Sequence, residues 1–387
     1  MKITLKNTPE QVELVKAMAS RNRAVAYEAQ TALAEFIGPV LAEVINNAPA
    51  LSNLFTTLQY NADDNPSIPL DLYFDVSDED YVQVYSQSRA GGLPTSEVLP
   101  TSSELKVATY SLDSAVSFDR RYAAKSRMDV VAKTMTRVAQ EILLKQNTIS
   151  ANVVLKALAN ASTAGSDHVL TSAADDRFVL ADLNALITRS KRIVTSFVGG
   201  TPDARSGRGI TDIICSPEIV EELRAIAYNP INTKSAPGGQ AHANNSQGIR
   251  TADEIASQAY NAAGAPEFYG INVIELNEMG GSGLGSSSRQ FNDIFVAEQS
   301  GNVPLAGGGA GDQAAAGDDE LVLGIDRSRE SLVRPVAVDA DNGGEFNLIA
   351  DDQYSIRQNK IGYFGSLEEG RVVLDNRALI GTLVMGA

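Results

Sequence analysis

A chain of 387 residues with 43% hydrophobic content has room for two or three domains and ample core, which excludes wholesale disorder. Its formal charge of −16, from 48 acidic against 32 basic residues, argues against a nucleic-acid reader, because neutralising phosphates takes clustered Lys and Arg. The lone Cys215 excludes an intramolecular disulfide, fits a reducing cytosol, and reads as a small apolar residue ending the strand ITDIIC. The start MKITLKNTPEQVELVK carries charges where a signal peptide needs an apolar core. No uncharged apolar run approaches the roughly 18 residues of a membrane span, so a soluble chain not secreted by that route is expected.

In chain order, Pro9 to about Asn47 favours helix, with Thr8 as N-cap, Pro9 at the first helical position and a break or kink at Pro39. This segment reads either as an arm lying across neighbouring surfaces or as an ordinary N-terminal core helix. Next, Ile68, Leu70, Leu72, Phe74 and Val76 alternate with Pro69, Asp71, Tyr73 and Asp75, the period of a half-buried strand. The prolines place it at an edge. An irregular Gly-, Pro- and Ser-rich stretch follows, RAGGLPTSEVLPTSSE, and then a return strand alternating on Ala108, Tyr110, Leu112, Val116 and Phe118. A two-stranded ribbon is marginal by itself, so it is expected to find its cover on another copy of the chain.

A very long helix is predicted near 127 to 162, with an apolar stripe at Met128, Val131, Met135, Val138, Ile142, Ile149 and Val153. Asn147 and Thr148 are candidates to bend it. Helices and strands then alternate: a helix over Leu180 to Phe197, a strand over Ile210 to Cys215, a helix from Ser216 to Tyr228, a short helix near Ala252 to Ala262, and a strand in FYGINVIEL. Asp293 to Glu298 and Leu321 to Ile325 read as further strands, separated by the low-complexity LAGGGAGDQAAAGDD. The final stretches FNLIADDQYSIRQNKIGYFG and RVVLDNRALIGTLVM return to strands that are expected to pack on the long helix.

Enzyme chemistry has little to draw on. His168 and His242 are the only histidines, both in polar loop contexts, so neither a Ser-His-Asp nor a His-metal constellation is expected. The run GGSGLG from Gly280 superficially looks like a dinucleotide loop, but it leads into SSSRQ and a predicted strand, without the helix that would hold a pyrophosphate. The pairs Asp63 and Asp64, Asp175 and Asp176, and Asp351 and Asp352 read as solvated loop residues. No catalytic, cofactor or metal residue is assigned.

The order of elements resembles the major capsid proteins of tailed bacteriophages, a fold shared with encapsulins. The resemblance is carried by LKVATYSLDSAVSFDRRYAAKSRMDVVAKTMTRVAQEILLKQN, similar to that family's return strand and spine helix, and by DDQYSIRQNKIGYFGSLEEGRVVLDNRALIGTLV, similar to its closing strands. It implies an α+β fold. Residues 1–60 would be an N-terminal arm, 61–120 an extended hairpin loop, and 121–179 a peripheral domain with the spine helix. An axial α/β domain would occupy 180–335, and 336–387 would return as peripheral strands. Leu70, Leu72, Phe74 and Arg89 would lie in the intersubunit loop, while Met128, Val131, Met135, Val138 and Ile142 would line the spine. The loop tip from Ser77 to Glu104 has Arg89 but no Lys, so noncovalent holding is expected in place of the covalent cross-link some members make. The chain starts too near the arm for a removable scaffolding segment, so any scaffolding would be a separate protein, alongside a portal and a cement protein.

The implied function is a non-enzymatic shell subunit, assembled in the host cytoplasm as hexamers and pentamers of an icosahedral virion head around double-stranded DNA. It needs no cofactor and no membrane. An encapsulin-like cargo compartment and a cytosolic α/β enzyme stand as alternatives.

Overall fold

The computed structural model describes residues 8–46, 48, 50–61, 65–69, 104–161, 168–172, 177–193, 209–228, 267–268, 270–280, 290–299, 320–338, 345–351 and 358–384. The fold is α+β, divided into two compact units. The first comprises residues 1–72, 101–150 and 332–372, and the second 73–100, 151–331 and 373–387.

In the first unit, α1 (Pro9–Met18) starts as its residues dictate: Pro9 opens the helix and the Thr8 hydroxyl accepts the Gln11 N–H at 3.4 Å. The expected break is displaced. It falls at Ala19 to Asn22, after which the Asn22 carboxamide caps α2 (Arg23–Asn46) by accepting the Ala24 N–H at 3.2 Å, and α2 runs on through Pro39. An interior proline costs a helix about 3 kcal/mol. Ile37, Leu41 and Ile45, buried on either side of it, offset that cost. The inner faces of α1 and α2 contribute Val15, Met18, Leu33 and these three to the unit's own core, which is what the core-helix reading describes.

Six strands form the first unit's main sheet. These are β1 (Thr56–Asn61), β4 (Thr109–Asp119), β10 (Leu332–Val338), β11 (Asn347–Asp351), β12 (Lys360–Gly370) and β13 (Val372–Val373). The return strand β4 is paired along all eleven residues with β12, antiparallel, from Asp119↔Lys360 to Thr109↔Gly370. This corrects the expectation that nothing in the chain covers it. A partner some 250 residues downstream leaves no local trace, whereas the alternation that buries Phe118 and half-buries Leu112 and Val116 was legible. Of the expected ribbon, the described part is a short ladder joining β2 (Ser67–Pro69) to β3 (Glu104–Lys106).

After the short α3 (Arg120–Ala124), α4 spans Met128–Ala161, 34 residues or about 50 Å at 1.5 Å per residue, and is continuous through Asn147. Its first part buries Val131, Met135, Val138 and Ile142 with Tyr363 and Leu367 of β12. Beyond Lys145 the buried face moves off the predicted stripe: Ser150, Ala151, Val154, Leu155 and Leu158 are buried, while Ile149 and Val153 are half-buried.

The second unit is a mixed sheet in the order β5-β14-β9-β6-β8-β7: β5 (Val169–Thr171), β6 (Asp212–Cys215), β7 (Glu267–Phe268), β8 (Ile271–Glu275), β9 (Glu320–Ile325) and β14 (Leu379–Val384). Helices α5 (Leu180–Ile193) and α6 (Pro217–Tyr228) pack their apolar stripes on it. The Ser216 hydroxyl caps α6 by accepting the Ile219 N–H at 3.3 Å, as Ser-Pro at a helix start predicts. The predicted strand at Asp293 to Glu298 is instead a helix, α7 (Gln290–Gln299). Phe291 and Phe295, four apart, are both buried, and the Asn292 carboxamide accepts the Leu321 N–H at 3.2 Å. The helix expected near Ala252 to Ala262 lies outside the described residues.

Candidate assembly surface and buried ionic cluster

Two arrangements in the first unit stand out: a charge cluster sealed inside it, and apolar side chains left on its surface. The cluster forms where β10, β12 and β4 meet. Glu369 lies opposite Tyr110 in the β4–β12 register, and Arg371 follows it by two residues, so alternation keeps both on one face. Arg334 reaches in from β10, with its Nε 2.6 Å from Glu369 Oε2, while Arg371 Nη2 lies 3.1 Å from Oε1. The Tyr110 hydroxyl donates to Oε1 at 2.8 Å and Gln146 Nε2 of α4 donates to Oε2 at 3.0 Å.

Further bonds tie in the N-terminal segment. Arg371 Nη1 donates to the Ser52 carbonyl at 3.0 Å with its guanidinium 5.1 Å above the Phe55 ring, and Arg334 Nη1 donates to Asn46 Oδ1 at 3.2 Å. Asn147, beside Gln146, accepts the Leu51 N–H at 3.1 Å. Glu369 is fully buried, and Arg334 and Arg371 are nearly so. Burial pushes the carboxyl's pKa up, but Arg371 and Arg334 outweigh it and hold the group ionised below its ordinary range. Burial, reinforced by Glu369, pushes the Tyr110 phenol upward, so it stays a protonated donor. Every charged oxygen is already engaged. The cluster is therefore suited to locking strands and helices together, and has no free lone pair aimed at a substrate.

The cluster was missed from sequence, although signals existed. Arg334 sits inside the apolar run LVRPVAV, and an arginine there needs a buried partner. Gln146 and Asn147 likewise interrupt the apolar face of α4.

On the surface, among the described residues, the exposed large apolar side chains are Val25, Tyr27, Phe36 and Val40 of α2, Leu58, Tyr122, Leu144, Ile349 and Phe364, all in the first unit. Ile349 is directly paired with Phe364, and Phe364 with Ala115 on its other side, so one face of the sheet carries an apolar row across β11, β12 and β4. Ile349 and Phe364 are 46% and 37% exposed, where an outward sheet face is ordinarily polar.

Of the predicted site residues, Val131, Met135, Val138 and Ile142 lie together in the first unit's core and Met128 opens α4. Leu70, Leu72, Phe74 and Arg89 lie outside the described residues, as does His242. His168 is buried beside β5, with its Nδ1 2.9 Å from the Leu379 carbonyl, not in a polar loop. Cys215 is fully buried at the end of β6, its thiol pKa pushed up to about 12 by burial and then by Glu275 and Glu320. Among the described residues, no group of three or more His, Cys, Asp or Glu is placed to hold a metal ion, and no helix is long and apolar enough to cross a membrane.

No protein-family model matches the chain, and no curated protein matches it either. Among solved structures it is similar to the capsid of an empty GTA particle, at 11% identity over 88% of this chain and 91% of that one, with a TM-score of 0.46. It is similar to the capsid of cyanophage Pam1, at 12% identity over 87% and 89%, with a TM-score of 0.46. It is also similar to the SrpI encapsulin of Synechococcus elongatus, at 12% identity over 73% and 76%, with a TM-score of 0.36.

Proposed function

We propose that the chain is a structural major capsid subunit, which self-assembles as hexamers and pentamers into an icosahedral head enclosing double-stranded DNA. The observation that carries this reading is the set of exposed large apolar side chains that the described residues of the first unit present, above all the row across β11, β12 and β4. A monomer gains nothing by exposing Ile349, Phe364 and Ala115 as one row across three strands. In a shell, copies of the same chain cover such rows, and many modest contacts combine because each subunit is engaged on several sides.

The extended loop around Leu70, Leu72, Phe74 and Arg89 would reach a neighbour, and the long α4 would serve as the spine. Arm, extended loop, peripheral domain and axial domain keep the boundaries 1–60, 61–120, 121–179 with 336–387, and 180–335. Separate scaffolding, portal and cement proteins are partners of this reading. So are assembly in the host cytoplasm, residence in the virion and the absence of an enzymatic role. The net charge of −16 suits a wall that contains DNA without reading it.

Electron microscopy of the purified full-length protein tests the proposal. Closed icosahedral particles, with DNA inside those isolated from the host, are expected. Closed particles filled with protein cargo would instead identify an encapsulin-like compartment, and a discrete monomer at all concentrations would refute the shell.

A further inference from the structure

A second feature of the first unit is a basic cavity, at whose edge lies Tyr27 of the exposed apolar set. The turn between α1 and α2, the start of α3 and the start of β12 enclose a cavity of about 170 Å³. In a chain with 16 more negative than positive charges, its lining includes Arg21, Arg23, Arg120 and Lys360 and no carboxylate. Among the described residues, neither Arg21 nor Lys360 makes an ion pair. Arg120 is oriented by donating Nε and Nη2 to the Ala19 carbonyl at 3.3 and 3.1 Å. Arg23 and Ala26, in the first turn of the 24-residue α2, also line the cavity, so the positive end of that helix dipole adds to the same field.

The independent observation is Gln30. This side chain is only 3% exposed, lines the cavity, and makes no hydrogen bond to any described residue. It shares the lining with the four cations. We propose that this cavity is an oxyanion site that takes a phosphate group. Arg21, Arg120 and Lys360, beside an Arg23 that is already engaged, exceed what one carboxylate neutralises, while a phosphate dianion accepts hydrogen bonds on several oxygens at once and suits guanidinium, ammonium and amide donors. The inference stands whether or not the chain forms a shell.

Calorimetric titration of the full-length protein with inorganic phosphate tests it, using two variants read separately: Gln30→Glu, which keeps the shape and reverses the electrostatics, and the Arg21→Ala/Lys360→Met pair at the rim. Phosphate binds the wild type, and each variant with an unchanged circular-dichroism spectrum binds at least tenfold more weakly. A duplex oligonucleotide distinguishes the source of the group. Displacement of phosphate by the duplex, with log affinity falling against log salt with a slope of about −0.9, identifies one backbone phosphate in the site. No displacement identifies free phosphate as the ligand. Absence of phosphate binding, equal binding by wild type and variants, or displacement by a polyglutamate peptide at lower concentration than by phosphate itself would overturn the proposal.

Discussion

The carboxylate of Glu369 faces two guanidiniums, so among the described residues the buried cluster retains one excess positive charge, which hydrogen bonds and the Phe55 ring help to disperse. Removing a member of a buried ion pair leaves the rest uncompensated, a loss of typically 3–5 kcal/mol. Glu369→Gln is therefore expected to destabilise the subunit by about 3 kcal/mol, as read from the denaturant midpoint. Arg334→Met alone should cost less than Glu369→Gln, since Arg371 would keep its partner. The pH dependence follows from the depressed carboxyl. Its stabilisation is present above the ordinary glutamate value near 4.3 and is lost as pH falls through the lower folded value, because the unfolded chain binds the proton first. Wild-type stability should drop more steeply below about pH 4 than that of Glu369→Gln, and parallel acid profiles would contradict this account.

At the scale of elements, β12 holds the first unit together, paired with β4 along one edge and with β11 and β10 along the other. The strand needs glycine at position 365, where any Cβ would run into the Phe346 ring. Gly365→Val should cost about 1–3 kcal/mol by overpacking, and a combined Phe346→Ala change should recover part of that loss. Additive losses measured by thermal unfolding would show that the two positions do not share space. The element scale is also where sequence reading met its limits. Helix caps at Thr8 and Ser216 and the alternation of β4 were legible because each depends on a few adjacent residues. The β4–β12 pairing and the rotation of the buried face of α4 beyond Lys145 depend on which distant surface is supplied. For QFNDIFVAEQ, the four-residue spacing of Phe291 and Phe295 was masked by β-favouring composition.

For the whole molecule, the apolar row on the sheet and the extended loop proposed around Leu72 and Phe74 lead to the same kind of test. Phe364→Asp, and separately Leu72→Asp with Phe74→Asp, should leave the subunit folded by circular dichroism while reducing particle yield at least tenfold in sedimentation. Normal particles from either variant would remove that surface from the assembly interface. Phe364 is the sharper test, since its side chain is exposed and its loss removes little from the subunit's own core.

What the sequence by itself determined is local: the alternation of β4, the starts of α1 and α6 at Thr-Pro and Ser-Pro, and that one helix is far longer than average. These follow from periods of 3.6 and 2 and from side chains within hydrogen-bonding reach along the chain. Tertiary structure decided that the return strand belongs to a C-terminal partner, that Glu369, Arg334 and Arg371 meet out of water, and that Arg21, Arg23, Arg120, Lys360 and Gln30 surround one cavity. Each group draws on segments tens to hundreds of positions apart, Arg334 with Glu369 and Arg371 in one, residues 21–30 with Arg120 and Lys360 in the other. Charge and hydrogen-bonding complementarity can be judged only after the fold has brought them together, so a glutamate in SLEEGRVVL reads as one more surface acid until its neighbours are known.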